Sequence, residues 1–250
     1  QVFTGGDGTA GNAVFAEAAQ ANINVGNKSY VLLRPQSGKS WVLILANPQD
    51  KFYVGSMSYD FSVDNFNDLF TNKTLTNVTA LLSAMPMTAG VVVNAPPFVN
   101  KMLPMSYLYE ATEGINVNTK IGTSTVPLEL TRAVAKIVVK STVADFTLSG
   151  IHSVYNMNKN TVLHNLSGNL ETAASMVDYI RNDANEDFVS ATANVTDPIY
   201  VYEAKSGTGA YMIIRAFYKG LESYYKIAIA DDELKYIEIK RNHESRLIII

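Results

Sequence analysis

The chain has 250 residues, 47% of them apolar and 17% charged, with a net charge of −3. That supplies a sizeable core for one large or two medium domains, and the lack of a basic surplus or basic cluster argues against nucleic acid as a partner. There is no cysteine, which excludes disulfides, thiolate catalysis and cysteine metal sites, and the longest purely apolar run, residues 41–46, falls far short of the roughly 20 residues a membrane-spanning helix needs.

A chain that starts at Gln1 rather than Met reads as a mature or trimmed product. Residues 1–12 carry Gly5, Gly6, Gly8 and Gly11 and read as a flexible leading segment. In 29–47, two β-rich runs flank RPQSGK, whose Pro35 and Gly38 are turn formers, so a hairpin is predicted there. A short strand is expected at 52–55. Residues 62–72 predict a helix: Ser62 is a fitting N-cap, Asp64 sits in the first turn, and Val63, Phe66, Leu69 and Phe70 share a face. A second helical turn is expected within 78–83, then short strands at 90–94, 102–109 and 115–121.

From Val126 onward the β-signal strengthens. Strands are predicted at 199–202, 210–218, 224–229 and 234–239, separated by the turn-like KSGTG, KGLES and ADDE, with 209–229 forming an antiparallel hairpin. Residues 169–180 are the one convincing helical stretch of this half. Runs of strands with short turns and few helices predict antiparallel β-sandwiches rather than a βαβ sheet. A compositional seam at GTST, 122–125, divides the chain into an N-terminal domain, 1–124, and a C-terminal domain, 125–250.

The stretch 126–140, VPLELTRAVAKIVVK, changes phase. Val126, Leu128 and Leu130 are apolar on even positions, whereas Ala133, Ala135, Ile137 and Val139 are apolar on odd ones. Side chains switch face at every strand residue, so the buried face changes between Leu130 and Ala133, as at a β-bulge. Arg132 and Lys136 then share a face with Val134 and Val138, their stems covering apolar surface while the charges reach water.

Motifs for chemistry are sparse. SGKS, at 37–40, lacks the glycine that a phosphate-binding loop places five positions earlier, where Leu33 stands, and reads as a hairpin turn. GGDGTAG neither follows a strand nor opens a helix. The three histidines, His152, His164 and His243, have no partners at metal-ligand spacing. A Ser-His-Asp triad is free in chain order, but no Gly-x-Ser-x-Gly elbow exists. Asp231, Asp232 and Glu233 lack EF-hand spacing and read as a solvated turn. Sequons occur at Asn27, Asn72, Asn77, Asn165 and Asn194. No enzyme, cofactor or metal is expected.

In ESRLIII, at 244–250, Arg246, Ile248 and Ile250 would share one strand face and Leu247 and Ile249 the other. Both faces are largely apolar, which suits insertion between two sheets and is a hazard at a solvent edge. Leu247, Ile248, Ile249 and Ile250 are therefore the candidate subunit-docking residues; the alternative is that they form the last core strand of their own domain.

The sequence resembles the Bacteroidales fimbrillins, the type V pilus subunits. The pattern Leu-x-Arg-x-x-Ala-Lys-hydrophobic-x-Val that begins their C-terminal domain is matched by Leu130, Arg132, Ala135, Lys136, Ile137 and Val139. SWVLILAN, at 40–47, is similar to a family strand ending in Ala-Asn. Pro86-Met87-Thr88 or Pro104-Met105-Ser106 is similar to a Pro-Met-(Thr/Ser) segment late in the N-terminal domain. Tyr224 to Ile229 and the segment 239–243 are similar to the closing strands and an Arg-Asn-His segment. The resemblance implies two tandem transthyretin-like antiparallel β-sandwich domains with a few short helices. It also implies export as a lipidated precursor, proteolytic removal of an N-terminal segment and assembly by strand donation between subunits. The expected role is a stalk or tip subunit of a surface fimbria at the outer membrane, supporting adhesion. The expected partners are other fimbrial subunits, in a homo- or hetero-polymer, and a host or bacterial surface protein or glycan. The alternative function is a cell-surface carbohydrate-binding adhesin module.

Overall fold

The structure is a computed structural model that describes residues 1–24, 28–47, 49–84, 86, 98, 102–170, 176–180 and 187–250. The chain divides into two compact units. Unit 1 comprises Gln1–Met85, Pro104–Thr131 and Val162–Gly168; unit 2 comprises Pro86–Leu103, Arg132–Thr161 and Asn169–Ile250.

In unit 1 the strands are β1 (Val2–Thr4), β2 (Val14–Glu17), β3 (Asn22–Asn24), β4 (Lys28–Tyr30), β5 (Ser40–Ala46), β6 (Lys51–Val54) and β7 (Met57–Asp60). They are followed by helices α1 (Val63–Phe70) and α2 (Leu75–Leu81), then β8 (Leu82–Ser83) and β9 (Met105–Ala111); β10 (Thr131–Arg132) begins at the unit's last residue of that stretch. One sheet runs β10-β9-β5-β1-β2 and another β7-β6-β8. The expected helix forms as read: the Ser62 hydroxyl accepts from Asn65 N–H at 3.1 Å, and Phe66 and Phe70 are its buried residues. α2 is capped likewise by Thr74, which accepts from Asn77 N–H at 3.3 Å. Phe52 stacks on Phe66 with ring centroids 4.7 Å apart and also meets Phe70, so α1 and β6 share an aromatic core.

Three expectations for this half are corrected. Residues 1–12 are not a loose leader: β1 lies between β5 and β2 with Val2 and Phe3 fully buried, because two apolar side chains at the strand's start outweigh the glycines that follow. The hairpin across RPQSGK does not form. β4 pairs with β3, and β5 pairs with β1 and β9, so the apolar strand takes remote partners along both its edges. Gly38 does adopt the positive φ expected of the SGKS turn. Residues 115–121 are not a strand; Ile115 makes a single bridge to Gln36 and Val117 is almost fully exposed. The expected strand at 90–94 lies outside the described residues.

Unit 2 is built on β11 (Val134–Ser141), β12 (Phe146–Asn158), β13 (Met176–Ile180), β14 (Val189–Thr192), β15 (Val195–Thr196), β16 (Ile199–Tyr202), β17 (Tyr211–Tyr218), β18 (Leu221–Ala228) and β19 (Glu244–Ile249). β11 is flanked by β15 and β16 on one side and β19 on the other; β12 lies between β13 with β14 and β17, and β18 ends that layer. β14 joins the layers, since Val189 and Ser190 pair with β12 while Ala191 and Thr192 pair with β15. Ala135, Ile137 and Val139 from β11 meet Leu148, Ile151 and Val154 from β12 and Met212, Ile214 and Ala216 from β17 in one core. The mainly β, sandwich expectation holds, and among the described residues of this unit the strand pairs are antiparallel save β11 with β19.

The phase change expected before Ala133 falls at a break: β10 ends at Arg132, β11 starts at Val134, and residues 126–130 are not strand. Val134 and Val138, expected on the open face, are buried as well, 1% and 6% exposed. The predicted helix at 169–180 is corrected. Residues 176–180 are strand β13, whose Val177 and Tyr179 alternate into the core, and this period of two overrides the helical composition around them. Residues 234–239 make only isolated bridges, Ala230 to Tyr236 and Ala204 to Ile239. The hairpin of β17 and β18 forms around Lys219 and Gly220, both at positive φ, the geometry a two-residue hairpin turn needs.

Candidate subunit-docking site

The candidate docking residues lie on β19 and just past it. β19 runs parallel to β11, with Lys136 opposite Glu244 and Val139 opposite Leu247. Leu247 is 9% exposed and belongs to the core, and Ile249 packs partly against it. Ile248 and Ile250 are 54% and 96% exposed. The two-faced pattern read from ESRLIII is therefore present, with one face in the unit's own core and the other open.

The backbone defines the second half of the site. Lys136 N–H donates to His243 O at 2.9 Å and Thr142 N–H to Ile249 O at 3.0 Å. Alternation along a parallel pair then directs the backbone groups of Ser245, Leu247 and Ile249 toward β11, and those of Glu244, Arg246 and Ile248 toward the other edge. Among the described residues no strand pairs with that edge.

Charges fix the strand's start. Lys136 Nζ donates to Glu244 Oε2 at 2.8 Å, and Arg246 Nη2 donates to Glu244 Oε1 at 2.7 Å. These two bonds, Lys136 first, hold the Glu244 carboxyl below its ordinary range. Arg132 Nη1 donates to Asn242 Oδ1 at 3.1 Å, and Asn242 N–H donates to Val134 O at 2.8 Å. Arg132 and Lys136 thus tie the β10–β11 stretch to the turn before β19 and to its first residue. Behind them, the Arg241 guanidinium meets the Glu203 carboxylate through Nε to Oε2 at 2.8 Å and through Nη2 to Oε1, and Nη2 also donates to Thr161 Oγ1 at 2.9 Å. Glu203 is 1% exposed, so this pair is a buried anchor for the turn before β19. Sequence reading missed it, because Glu203 and Arg241 are 38 residues apart and the Arg-Asn-His segment that contains Arg241 does not indicate its partner.

The other candidate residues are dispersed. Ser106 Oγ lies 3.0 Å from His164 Nδ1 but is 1% exposed and donates to Leu163 O at 3.0 Å, which commits its proton to structure. His152 meets the Tyr224 ring at 5.0 Å, and His243 Nδ1 lies 2.8 Å from Arg241 O. Asp231 accepts from Glu233 N–H and Lys235 N–H, closing the ADDE turn on itself. Among the described residues no group of three or more His, Asp or Glu side chains stands where it could hold a metal ion.

No family model matches the chain, and no curated protein matches it significantly. Solved structures do. The tip fimbrial protein Mfa3 from Porphyromonas gingivalis, with a C-terminal truncation, matches with a TM-score of 0.52 at 18% identity, over 100% of this chain and 88% of that one. A candidate cell adhesion protein from Bacteroides eggerthii matches with a TM-score of 0.52 at 14% identity, over 99% of this chain and 78% of that one. At such identities the likeness is one of architecture, and the chain has the fold of these fimbrial and cell-adhesion structures.

Proposed function

We propose that the chain is an accessory subunit of a bacterial surface fimbria that joins its neighbours by β-strand addition and supports adhesion at the cell surface. The observation that carries this reading is β19: a parallel strand bonded on one edge to β11, with no described strand on the other, ending in the exposed Ile248 and Ile250. An open apolar edge is costly in an isolated molecule, and a strand from another subunit would satisfy its backbone groups. The fold shared with a fimbrial tip protein supports the same reading. Partners are then other fimbrial subunits, with Leu247 and Ile249 holding β19 in its own core while Ile248 and Ile250 meet the neighbour.

Ile248→Pro tests this. Proline removes an N–H that points away from β11 and places its ring on the open edge, so it blocks strand addition while sparing the β11 ladder. The variant is expected to melt like the parent yet be missing from fimbriae isolated from cells that express it. Normal incorporation of Ile248→Pro, or absence of the parent from fimbriae, overturns the proposal.

A further inference from the structure

Tyr155, near the end of β12, stands directly opposite Tyr211, at the start of β17. Their rings are stacked, centroids 4.6 Å apart and planes 9° from parallel, and both residues are half-buried on the sheet's outer face. The pairing is built in from several sides. Asn156, at a positive φ of 59°, donates its N–H to Asp178 Oδ1 at 2.9 Å and its Nδ2–H to Gly209 O at 3.0 Å. Those bonds pin the end of β12 to β13 and to the turn that starts β17. From β18, on the far side of β17, Lys226 Nζ lies 4.0 Å from the Tyr211 ring centroid and flanks that ring opposite Tyr155. Two phenols are thus held face to face, on neighbouring strands, at the solvent boundary of a chain without cysteine.

We propose that Tyr155 and Tyr211 are an oxidative crosslinking site, forming an ortho,ortho-dityrosine that staples β12 to β17 when a one-electron phenol oxidant, such as a haem peroxidase with hydrogen peroxide, is present. Each phenol gives up one electron and its hydroxyl proton. The two phenoxyl radicals join through a carbon–carbon bond between ring positions ortho to the oxygens. The ring hydrogens at those carbons then move to the oxygens as the coupled rings return to phenols. The pair loses two electrons and two protons in total, which reduce one hydrogen peroxide to two waters. The strand register already holds the two rings together, and the broad χ2 torsion of tyrosine lets them turn their ortho carbons toward each other. A link between residues 155 and 211 also constrains the unfolded chain, as a disulfide does, and raises the melting temperature.

The test uses the full chain, a haem peroxidase and hydrogen peroxide. Trypsin places Tyr155 in peptide 141–159 and Tyr211 in peptide 206–215, and each peptide contains a single tyrosine. The expected product is monomeric protein with dityrosine fluorescence, these two peptides joined with the loss of two hydrogens, and a higher melting temperature than untreated protein. Tyr155→Phe, which keeps the stacked ring but has no phenol to oxidise, is expected to fold and to lose that species. The proposal is overturned if the joined peptides do not form, if the dityrosine signal is unchanged in Tyr155→Phe, or if coupling runs mainly between chains.

Discussion

Lys136 Nζ and Glu244 Oε2 meet at 2.8 Å across a parallel strand pair, though 108 residues separate them along the chain. The contact joins β11 to the first residue of β19, at the start of the register in which Leu247 enters the core. It also sits at the protein surface, with the two side chains 37% and 34% exposed, so its weight is that of a screened ion pair. Lys136 and Arg246 depress the Glu244 carboxyl below its ordinary value near 4.5. A depressed folded-state pKa contributes stability that is present above the unfolded value and is lost as pH falls through the folded one. Parent protein and Glu244→Gln are therefore expected to differ by a constant small amount at neutral pH, and to converge as pH falls below about 4.5. The difference is also expected to shrink in high salt. Urea unfolding across pH at two salt concentrations measures it; a gap that persists at the lowest pH contradicts the assignment.

The buried pair behind it behaves differently. Glu203 and Arg241 are bonded through two atoms each, and the side chains are 1% and 11% exposed. Removing one partner leaves a buried charge without its counter-ion, so Arg241→Met is expected to destabilise unit 2 by about 3–5 kcal/mol. Replacing both, as Arg241→Met with Glu203→Leu, is expected to cost less than either change alone. Denaturant melts of the two single variants and the double variant decide this, and additive losses would show that the residues act independently.

Gly150 tests a close approach of backbone to backbone. A Cβ there would stand 2.2 Å from Val189 O and 2.8 Å from the Asp187 side chain, and β12 pairs with β14 through this residue. The carbonyl belongs to the strand that joins the two layers and cannot rotate away like a side chain. Gly150→Ala is expected to cost at least the about 1–3 kcal/mol of an overpacked site. It should also lower hydrogen-exchange protection at residues 189–192 before the rest of the unit. A variant as stable as the parent would mean that β14 shifts freely.

Residues 122–126 remain a proposed boundary for proteolysis. Gly122 N–H and Thr123 N–H both donate to Val126 O there, at 2.7 and 2.9 Å, in an exposed turn. A cut at that turn would not free unit 1, because Val162–Gly168 belongs to it. Leu163 N–H donates to Leu82 O at 2.9 Å, and Leu163 O accepts from Ser106 Oγ at 3.0 Å. Fragments 1–124 and 125–250 are expected to co-elute from gel filtration and to separate only in denaturant; native separation would contradict this.

What was legible in the sequence follows the range of the forces involved. α1 was legible because Ser62 and the spacing of Phe66 and Phe70 act within two turns. The β17–β18 hairpin was legible because two positive-φ residues close it. β12, the longest strand at 13 residues, was not, because irregularities between Leu148 and Gly150 and between Ile151 and Ser153 break its period of two. β13 read as a helix because Ala and Glu around it favour helix, and only its pairing with β12 selects the extended form. At the site, the two apolar faces of Leu247 to Ile250 were visible as alternation. The partner was not: β11 lies about a hundred residues earlier, and nothing local in ESRLIII encodes a parallel pairing or which edge stays open.

That asymmetry gives the sharpest stability contrast within the docking segment. Leu247 is 9% exposed in the core, whereas Ile248, one residue on, is 54% exposed on the opposite face. Deleting buried methylenes removes transfer energy and leaves a cavity, so Leu247→Ala is expected to destabilise by about 2–5 kcal/mol. Ile248→Ala removes apolar surface that already touches water and is expected to stay within about 0.5 kcal/mol of the parent. If β19 instead left its own unit to enter a neighbour, neither substitution would change the isolated monomer, and both would weaken assembly. Melting of the monomer and incorporation into fimbriae, measured on both variants, separate the cases. A strand that stays home and offers its outer edge gives a large loss of stability at Leu247 and, at Ile248, a loss of assembly alone.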